Sequence, residues 1–259
     1  RPRFYLTRLV VRRASAIVCI ANFVRRILHK DYGVSEERLH VIYPTIDTDE
    51  RQVDPHHVKV FRQELVGNNK LILMVGRLQQ KRKGFDKALE ALPLILAREP
   101  DTKLVIAGPG DQTCLSSLAH QAGVEDRVLF VGEVERHRLM LLYAACDVFL
   151  LPTRTIDGDT EGFGIVFLEA NLMGKPVIGG RAGGTEDAVV DGQTGLLVDG
   201  NDSQQIAEAV LRLLDDPVYA EWLGRQGGKR VLEEFDSRVQ QRKFVGIVEQ
   251  ILSSTRPAA

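Results

Sequence analysis

From residue 71 onward, short apolar runs alternate with longer stretches of mixed polarity. The apolar runs have the length of buried strands, and the stretches between them have the spacing of helices with one apolar face. This alternation is typical of repeated βα units and predicts a parallel sheet. The strands are predicted at Leu71–Val75, Lys103–Ala107, Val128–Val131, Val148–Leu151, Pro176–Ile178 and Gly195–Val198. Together they predict an α/β fold with a Rossmann-like, six-stranded parallel sheet flanked by helices.

The two ends of the chain do not belong to this repeat. A basic helix, a strand at residues 16–20, a helix that begins near Asn22 and a strand at residues 39–43 look like the last βα units of a preceding domain. The chain begins with Arg and shows no signal peptide, which favours a fragment of a longer protein. We therefore predict three parts, which are a remnant of an N-terminal Rossmann domain at 1–48, a ligand-binding domain at 49–236, and a helix with a tail at 237–259.

Two features refine these boundaries. The polar stretch at residues 44–55 is predicted to be the linker between the two domains. Asp202 and Asp236 are residue types that cap helix N-termini, and they predict helices that end near Leu214 and Leu252.

Composition changes this picture little. Of the 259 residues, 44% are hydrophobic and 27% are charged, which is typical of a soluble globular protein with a substantial core. The net charge of −1 gives no general attraction to nucleic acid, and no apolar run approaches the roughly 20 residues that span a bilayer. Cys19, Cys114 and Cys146 are odd in number and lack a CxxC spacing, which favours reduced thiols and a cytoplasmic protein.

Charge is unevenly distributed at the N-terminus. Up to Lys30 every charged residue is basic, and the first acid is Asp31. Such a run could contact phosphates or the anionic inner face of a membrane, which would make the protein peripheral to that membrane. A helix surface that faces water or another domain explains the same charges and is the favoured interpretation.

Candidate chemistry is expected at the carboxyl ends of the strands, where ligands bind in open parallel sheets. After the first predicted strand, residues 76–84 place Arg77, Lys81, Arg82 and Lys83 between two glycines. Arg can bind a phosphate through two hydrogen bonds and Lys supplies a point charge, so the loop suits an anion such as a diphosphate. A basic turn exposed to solvent is the alternative for this loop taken alone.

A second candidate segment follows the fourth predicted strand, where Glu161 and Glu169 stand at the ends of an apolar run. A buried carboxylate needs a hydroxyl, an amide or a cation as a partner, and sugar or ribose hydroxyls can serve. Gly162 and Gly164 permit a tight turn into a helix, whose free N–H groups can hold phosphate or sugar oxygens.

Two more glycine-rich turns, residues 108–111 and 179–184, follow the second and fifth predicted strands and favour a ligand pressed against backbone. Close packing is the alternative for any one of these turns, and residues 108–111 taken alone can also simply reverse the chain. Asp157-Gly158-Asp159 resembles the acidic motif that holds a divalent ion beside a sugar diphosphate. Because Arg77 and Lys83 already offer positive charge, we interpret this motif as a polar loop and expect no metal. The histidines are assigned no catalytic role.

Several motifs at these strand ends resemble glycosyltransferase family four, the retaining enzymes of the GT-B fold. The resemblance covers residues 71 to about 235, close to a whole C-terminal donor-binding domain, and the residues upstream look like the end of that family's acceptor domain. It implies that most of the acceptor domain is absent from this chain and that the C-terminal helix crosses back onto that domain. The matching motifs are Gly76-Arg77, Lys83-Gly84, Glu161-Gly162-Phe163-Gly164, Glu169-Ala170, Gly174-Lys175-Pro176-Val177-Ile178 and Asp191-Gly192-Gln193-Thr194-Gly195.

This resemblance implies a hexosyltransferase that uses a UDP- or GDP-sugar as donor and needs no cofactor. It implies that Arg77 and Lys83 grip the donor diphosphate, that Glu161 contacts hydroxyls of the transferred sugar, and that Glu169 binds the ribose hydroxyls. Arg77, Lys83 and Glu161 are therefore the expected catalytic residues.

The remaining donor contacts that the resemblance implies are made by backbone. The amides of residues 163–165 would hold sugar or phosphate oxygens, and Gly132-Glu133-Val134 would lie along the base. The full set of implied donor-binding residues is Gly76, Arg77, Lys83, Gly132, Val134, Glu161, Gly162, Phe163, Gly164, Ile165 and Glu169.

Two positions depart from the family's pattern. Pro44-Thr45 stands where a Pro-Asn-Gly turn is usual, and Thr185-Glu186 stands where Pro-Glu is usual. Neither touches the charge-bearing positions of the implied site, so both are interpreted as local variation. The insertion at residues 155–160 is similar to that of bacterial mannosyltransferases with lipid acceptors, and the acceptor is expected to be a glycan or a lipid.

Two other functional classes compete with this interpretation. A non-catalytic module that binds a nucleotide or sugar nucleotide is favoured if the gene begins near Arg1. A dinucleotide-dependent oxidoreductase would share the sheet, but no G-x-G-x-x-G follows the first strand, and Arg77 stands where that turn needs a small residue.

Overall fold

The computed structural model of the protein describes residues 10–255. The strands of these residues are β1 (Ile17–Cys19), β2 (Leu39–Val41), β3 (Lys70–Val75), β4 (Thr102–Ala107), β5 (Val128–Gly132), β6 (Val148–Leu151), β7 (Val177–Gly180) and β8 (Leu196–Val198). Six of them form a parallel sheet with the strand order β5-β4-β3-β6-β7-β8, which confirms the predicted fold class. A separate parallel pair, β1 and β2, precedes this sheet in the chain.

The observed strands differ from the predicted ones most clearly at β7. This strand begins at Val177 because Pro176 has no N–H for the ladder, although the Pro176 carbonyl accepts a bond from the Phe149 amide at 3.0 Å. The strand also continues through Gly180. A Cβ atom at Gly180 would lie 1.7 Å from the carbonyl oxygen of Thr153, so glycine is required where these two segments meet.

Helices fill the gaps between the strands and cover both faces of the large sheet. From Asn22 onward the α-helices are α1 (Asn22–Lys30), α2 (Pro55–Val66), α3 (Phe85–Leu96), α4 (Thr113–Gln121), α5 (Arg136–Ala145), α6 (Ile165–Leu172), α7 (Thr185–Ala188), α8 (Ser203–Asp215), α9 (Pro217–Arg230) and α10 (Ser237–Thr255). Because β4 lies on one side of β3 and β7 lies on the other side of β6, right-handed crossovers place α3 and α6 on opposite faces. α3 packs on α8, α2 packs on α5, and α6 packs on α9.

Both predicted N-caps are observed. The Asp202 carboxylate accepts hydrogen bonds from the amides of Gln204 and Gln205 at 3.0 and 3.1 Å, and α8 follows it. The Asp236 carboxylate accepts from the amide of Arg238 at 2.9 Å, and α10 begins beside it. The side chains thus supply acceptors for N–H groups that have no partner within the helix.

The strand order reverses between β3 and β6, which are neighbours in the sheet. The loop after β3 leads to one side and the loop after β6 leads to the other, so a crevice opens between their carboxyl ends. β3 and β6 are almost entirely buried, which holds the two loops on a rigid base.

A carboxylate joins the N-terminal strand pair to the large sheet. Asp187 of α7 accepts hydrogen bonds from the amides of Asn22 and Phe23 at 3.0 and 3.1 Å, and from the Asn22 side chain at 2.7 Å. It therefore caps α1 from another part of the chain. The Tyr43 ring adds an apolar contact, because it lies 5.6 Å from the ring of Phe163 and 5.2 Å from that of Phe235.

The stretch predicted as a linker, residues 44–55, has defined structure. A 3₁₀ helix spans Thr48–Arg51. The Thr48 hydroxyl donates to the Asp236 carboxylate at 2.7 Å, and Ile46 forms an isolated bridge with the same residue. This stretch is thereby attached to the start of α10.

The basic N-terminal segment is described in part. Arg1, Arg3 and Arg8 lie outside the described residues, whereas Arg25, Arg26 and Lys30 lie on α1. Within residues 10–255, no helix combines the length and the apolar character needed to span a bilayer.

Two helical glycines provide a matched stability test. A Cβ atom at Gly224 of α9 would lie 2.0 Å from the carbonyl oxygen of Gly174, whereas no atom lies within 4 Å of the corresponding position at Gly246 of α10. We expect Gly224→Ala to lower the free energy of unfolding by about 1–3 kcal/mol through overpacking. We expect Gly246→Ala to raise it by up to about 1 kcal/mol, because Ala is the better helix former. Urea denaturation measures both, and equal shifts would contradict the close approach at Gly224.

Candidate functional site

The loops after β3, β4 and β5 are joined by backbone hydrogen bonds at one edge of the sheet. The Gly76 amide donates to the Ala107 carbonyl at 3.0 Å, and the Gly108 amide donates to the Gly132 carbonyl at 2.8 Å. Gly108 has a φ of 138°, and a Cβ atom there would lie 2.0 Å from the Gly76 carbonyl oxygen. Glycine at this position is thus explained by close packing of two loops.

The cations of the loop after β3, which is called the cationic loop below, differ in how far they are buried. Lys81–Lys83 form one 3₁₀ turn that ends at Gly84 with a φ of 74°. A Cβ atom at Gly84 would lie 2.3 Å from the Pro152 carbonyl oxygen, so the loop can lie close to the end of β6. This contact turns Lys83 inward and buries it, whereas Arg77 and Lys81 are exposed. Within residues 10–255, the Arg77 side chain makes no hydrogen bond or ion pair with another side chain.

Glu161 is the partner of the buried lysine. Its Oε2 atom lies 2.7 Å from the Nζ atom of Lys83 and 2.7 Å from the Nη1 atom of Arg82. Burial would raise the pKa of Glu161, but the nearby charges of Lys83 and Arg82 outweigh burial and hold that pKa below its ordinary value. The expectation that a buried carboxylate has a partner is met here by two cations.

Arg82 was not among the residues predicted for the site. It contacts Glu161 and also approaches Asp159, with 3.2 Å between its Nε atom and the Asp159 Oδ2 atom. Its carbonyl accepts from the amide of Arg154, whose buried guanidinium contacts Asp86 at 2.6 and 2.8 Å. The sequence signal for Arg82 was its place in the basic run, but which of three adjacent cations faces inward depends on the 3₁₀ turn.

The glycine turn before α6 leaves backbone donors unused. The amides of Phe163, Gly164 and Ile165 have no acceptor among residues 10–255, because α6 begins here and Gly164 has a φ of 92°. The turn is held from below, since the Gly184 amide donates to the Glu161 carbonyl at 2.7 Å. The predicted turn therefore has free N–H groups beside Glu161.

Glu169 lies in α6, where it is buried and has protein partners on both oxygens. The Tyr143 hydroxyl donates to its Oε2 atom at 2.7 Å, and Arg136 donates to its Oε1 atom. Arg136 also pairs with Glu50 of the 3₁₀ helix Thr48–Arg51. The Glu50 and Glu169 carboxylates raise the pKa of Arg136, while burial and the charge of Glu169 raise the pKa of Tyr143.

The segment predicted to lie along a base leads directly to this second cluster. Gly132 ends β5 with a φ of 67°, and no atom lies within 4 Å of the position where a Cβ atom would stand. Val134 is half-buried, and Arg136 begins α5 two residues later. Arg136, Tyr143 and Glu50 were missed in the sequence, because nothing in the spacing shows that α5 packs on α6.

The predicted residues thus form two groups. Lys83 and Glu161 meet between the ends of β3 and β6, together with Arg82. Glu169 lies with Arg136 and Tyr143 between α5 and α6. Arg77 contacts neither group and extends into solvent.

The acidic insertion does not gather ligands for a metal. Ile156 and Asp159 exchange backbone hydrogen bonds of 2.9 and 2.8 Å, and Asp157 sits in the turn with a φ of 51°. Asp159 is engaged with Arg82. In the described part of the chain, no group of three or more His, Cys, Asp or Glu residues could hold a metal ion.

A cavity of about 360 Å³ lies between the cationic loop, the start of α3, and α4. Its walls include Leu78 and Gln79 of the loop, Phe85 of α3, and Cys114 and Leu115 of α4. Cys114 is exposed, whereas the other two cysteines are buried, and all three are free thiols. Burial raises the pKa of Cys146 to about 12.

Comparison with protein families gives two matches. The family described as glycosyl transferases group 1 matches residues 58–230, and the model of Glycosyltransferase Family 4 matches residues 1–50. The two matched ranges correspond to the large sheet with its helices and to the N-terminal strand pair.

Individual proteins and structures are also similar. The GDP-mannose-dependent alpha-(1-6)-phosphatidylinositol monomannoside mannosyltransferase of Mycolicibacterium smegmatis is 34% identical over 95% of this chain and 64% of its own length. The D-inositol 3-phosphate glycosyltransferase of Acidothermus cellulolyticus is 32% identical over 88% of this chain and 51% of its own length. The chain therefore spans less than two thirds of either relative. The crystal structure of Anabaena HepE in complex with UDP and glucose shares the fold, with a TM-score of 0.84 and 24% identity over 95% of this chain and 66% of that one.

Proposed function

Because the chain belongs to the glycosyl transferases group 1 family, we propose that it carries the donor-binding half of a retaining, nucleotide-sugar-dependent hexosyltransferase. The observation that supports this most is the cluster of Lys83, Arg82 and Glu161 in the crevice between β3 and β6. This is the position at which open parallel sheets bind ligands. The donor is a UDP- or GDP-sugar, and the names of relatives include a GDP-mannose-dependent enzyme.

In the proposed reaction, the bond between the anomeric carbon and the donor diphosphate breaks, an acceptor hydroxyl forms the new bond to that carbon from the same face, and the hydroxyl proton passes to the departing diphosphate. Lys83 and Arg77 stabilise the negative charge that develops on the diphosphate. Lys83 is already oriented by Glu161, whereas Arg77 is exposed and has a guanidinium available for a phosphate. Cations fixed before the reaction stabilise the transition state without further reorganisation.

The remaining proposed contacts are made with the sugar, the phosphates, the ribose and the base of the donor. Glu161 accepts from hydroxyls of the transferred sugar, and the free amides of residues 163–165 donate to sugar or phosphate oxygens. Glu169 accepts from the ribose hydroxyls while Arg136 and Tyr143 hold its carboxylate in place. Gly132–Val134 lies along the base.

A smaller part of this chain is assigned to the acceptor side of the enzyme. We propose that residues 1–48 belong to an acceptor-side domain, that residues 49–236 form the donor domain, and that residues 237–259 cross between them. Two relatives are named for phosphatidylinositol monomannoside and inositol 3-phosphate. A glycan or lipid acceptor fits these names, and a cytoplasmic enzyme with peripheral contact to the inner membrane face fits the basic N-terminal segment.

Donor binding can be tested on this chain by calorimetric titration with UDP, GDP and ADP in excess EDTA. We expect one diphosphate to bind selectively, with the same Kd when Mg²⁺ replaces EDTA, because Lys83 and Arg77 supply the charge that a metal would otherwise bring. A Kd that improves tenfold or more with Mg²⁺ would contradict metal independence. Failure of all three to bind in either buffer would count against the donor site.

A further inference from the structure

A cavity of about 540 Å³ lies between α1 and α7, outside the donor contacts described above. One wall is the cationic side of α1, with Arg25, Arg26, His29 and Lys30. The other wall, formed by α7, is acidic, with Glu186 and Asp187. Glu36 also lines the cavity, but it lies on the α1 side, where it is paired with Arg25.

Two cations of this cavity are available to a ligand. Arg25 contacts Glu36 at 3.1 Å through its Nη2 atom, and His29 approaches the same carboxylate at 3.7 Å. Arg26 and Lys30, by contrast, make no hydrogen bond or ion pair with any side chain of residues 10–255. They are four residues apart and therefore project from the same side of α1. Two adjacent free cations on one wall suit a phosphate ester.

The two carboxylates of the acidic wall differ in whether they already have hydrogen-bond partners. Asp187 is occupied by Asn22, Phe23 and Tyr43. Glu186 is exposed and has no partner among the residues that the structure describes. A free carboxylate beside Asn22 suits ligand hydroxyls, which can donate to it. The cavity therefore combines a site for an anion with a site for hydroxyl groups.

The order of these two sites relates the cavity to the donor site. Glu186 is two residues after Gly184, whose amide donates to the carbonyl of Glu161 at 2.7 Å. Arg26 and Lys30 follow Asn22 on α1 by about 6 and 12 Å at a rise of roughly 1.5 Å per residue, whereas Asn22 itself contacts Asp187, the neighbour of Glu186. The hydroxyl-binding end of the cavity is therefore the end that is linked through α7 and Gly184 to the proposed sugar site.

We propose that this cavity binds the acceptor, and that the acceptor is a polyol phosphate ester. This deepens the proposed glycosyltransferase function and rests on it. Arg26 and Lys30 bind the phosphate, while Glu186 accepts from hydroxyls at the end that approaches the donor sugar. The same chemistry is present in a soluble polyol phosphate and in the headgroup of a phospholipid.

The test is calorimetric titration of the chain with myo-inositol 1-phosphate, and sedimentation with phosphatidylcholine vesicles that contain or lack phosphatidylinositol. The variant Arg26→Gln/Lys30→Gln removes both free cations. We expect it to weaken binding at least tenfold, whereas Lys59→Gln/Lys243→Gln, which removes two exposed charges elsewhere, should bind as the unmodified chain does. Binding of the soluble ester identifies a soluble acceptor, and binding confined to vesicles with phosphatidylinositol identifies a lipid.

A second variant separates the hydroxyl site from the phosphate site. Glu186→Gln should weaken binding of myo-inositol 1-phosphate and leave binding of inorganic phosphate unchanged. The proposal is overturned if neither the ester nor the vesicles bind, or if the Arg26/Lys30 variant binds as the unmodified chain does. Titration of the unmodified chain with nucleoside diphosphates keeps the two ideas apart, because a chain that binds nucleotide but no phosphate ester retains the donor site and lacks this one.

Discussion

Lys83→Ala is expected to lower the turnover of the complete enzyme at least a hundredfold. Lys83 is buried in the loop that follows β3, and its Nζ atom lies 2.7 Å from the Oε2 atom of Glu161. If it stabilises the leaving diphosphate, its loss removes a preorganised charge, and removing one such contact costs on the order of 3 kcal/mol in the transition state. Steady-state kinetics with a saturating nucleotide sugar measures the effect on kcat.

The neighbouring Lys81 provides the matched control. It lies in the same 3₁₀ turn, two residues earlier, but its side chain is exposed and borders the cavity between the cationic loop and α4. We expect Lys81→Ala to change kcat by less than about threefold, since a solvated charge contributes little. Near-normal turnover of Lys83→Ala, or an equal loss in both variants, would rule out the proposed role of Lys83.

Glu169→Gln is expected to weaken the binding of the preferred nucleoside diphosphate roughly thirtyfold. The proposed ribose contacts are hydrogen bonds to a charged acceptor, and such bonds contribute about 1.5–3 kcal/mol each. The substitution keeps the shape of the side chain, so that α6 and its contacts with Tyr143 should persist. Calorimetry on this chain gives the change in Kd.

The role of Glu169 can be separated from a structural one by changing the ligand as well. The unmodified chain should bind the 2′,3′-dideoxy nucleotide much more weakly than the ribonucleotide. In Glu169→Gln, that difference should shrink, because the acceptor of both hydroxyls has been altered. If Glu169→Gln weakens the binding of both nucleotides by the same factor, Glu169 acts through the fold, for example by holding Arg136, and does not contact the ribose.

The sheet could be predicted from the sequence because its strands are continuous apolar runs. Residues 71–75 are buried from end to end in the structure, and a run of that kind between turn residues reads as a central parallel strand. The candidate loops followed from the same reasoning, since the carboxyl ends of parallel strands share one edge. Glu161 could be singled out because a carboxylate in an apolar segment is costly unless it has a partner.

What the sequence did not provide was the partner of each charge. Lys83 faces inward and Arg77 outward because Gly84 lets the loop lie against Pro152, a contact between segments far apart in the chain. The pairing of Arg136 with Glu169 depends in the same way on the packing of α5 against α6. No local pattern encodes such contacts.

One of the two departures interpreted as local variation, Thr185-Glu186, lies in a segment with a structural role. Thr185-Glu186 departs from the family's usual Pro-Glu, and the next residue, Asp187, caps α1 at the other end of the chain. The Thr185 hydroxyl lies 2.8 Å from that of Thr153 at the end of β6, both of them buried. The sequence identified the departure but contained no sign that these residues connect two sheets.

The unequal exposure of the three thiols makes this protein suitable for spectroscopic labelling without mutation. Cys19 and Cys146 are buried, and burial raises the pKa of both thiols, so an alkylating dye should react first with Cys114. Cys114 lines a cavity together with Leu78, Gln79 and Lys81 of the loop after β3. A fluorophore at Cys114 would therefore report movements of the cationic loop in real time while leaving the residues proposed to bind the donor unmodified.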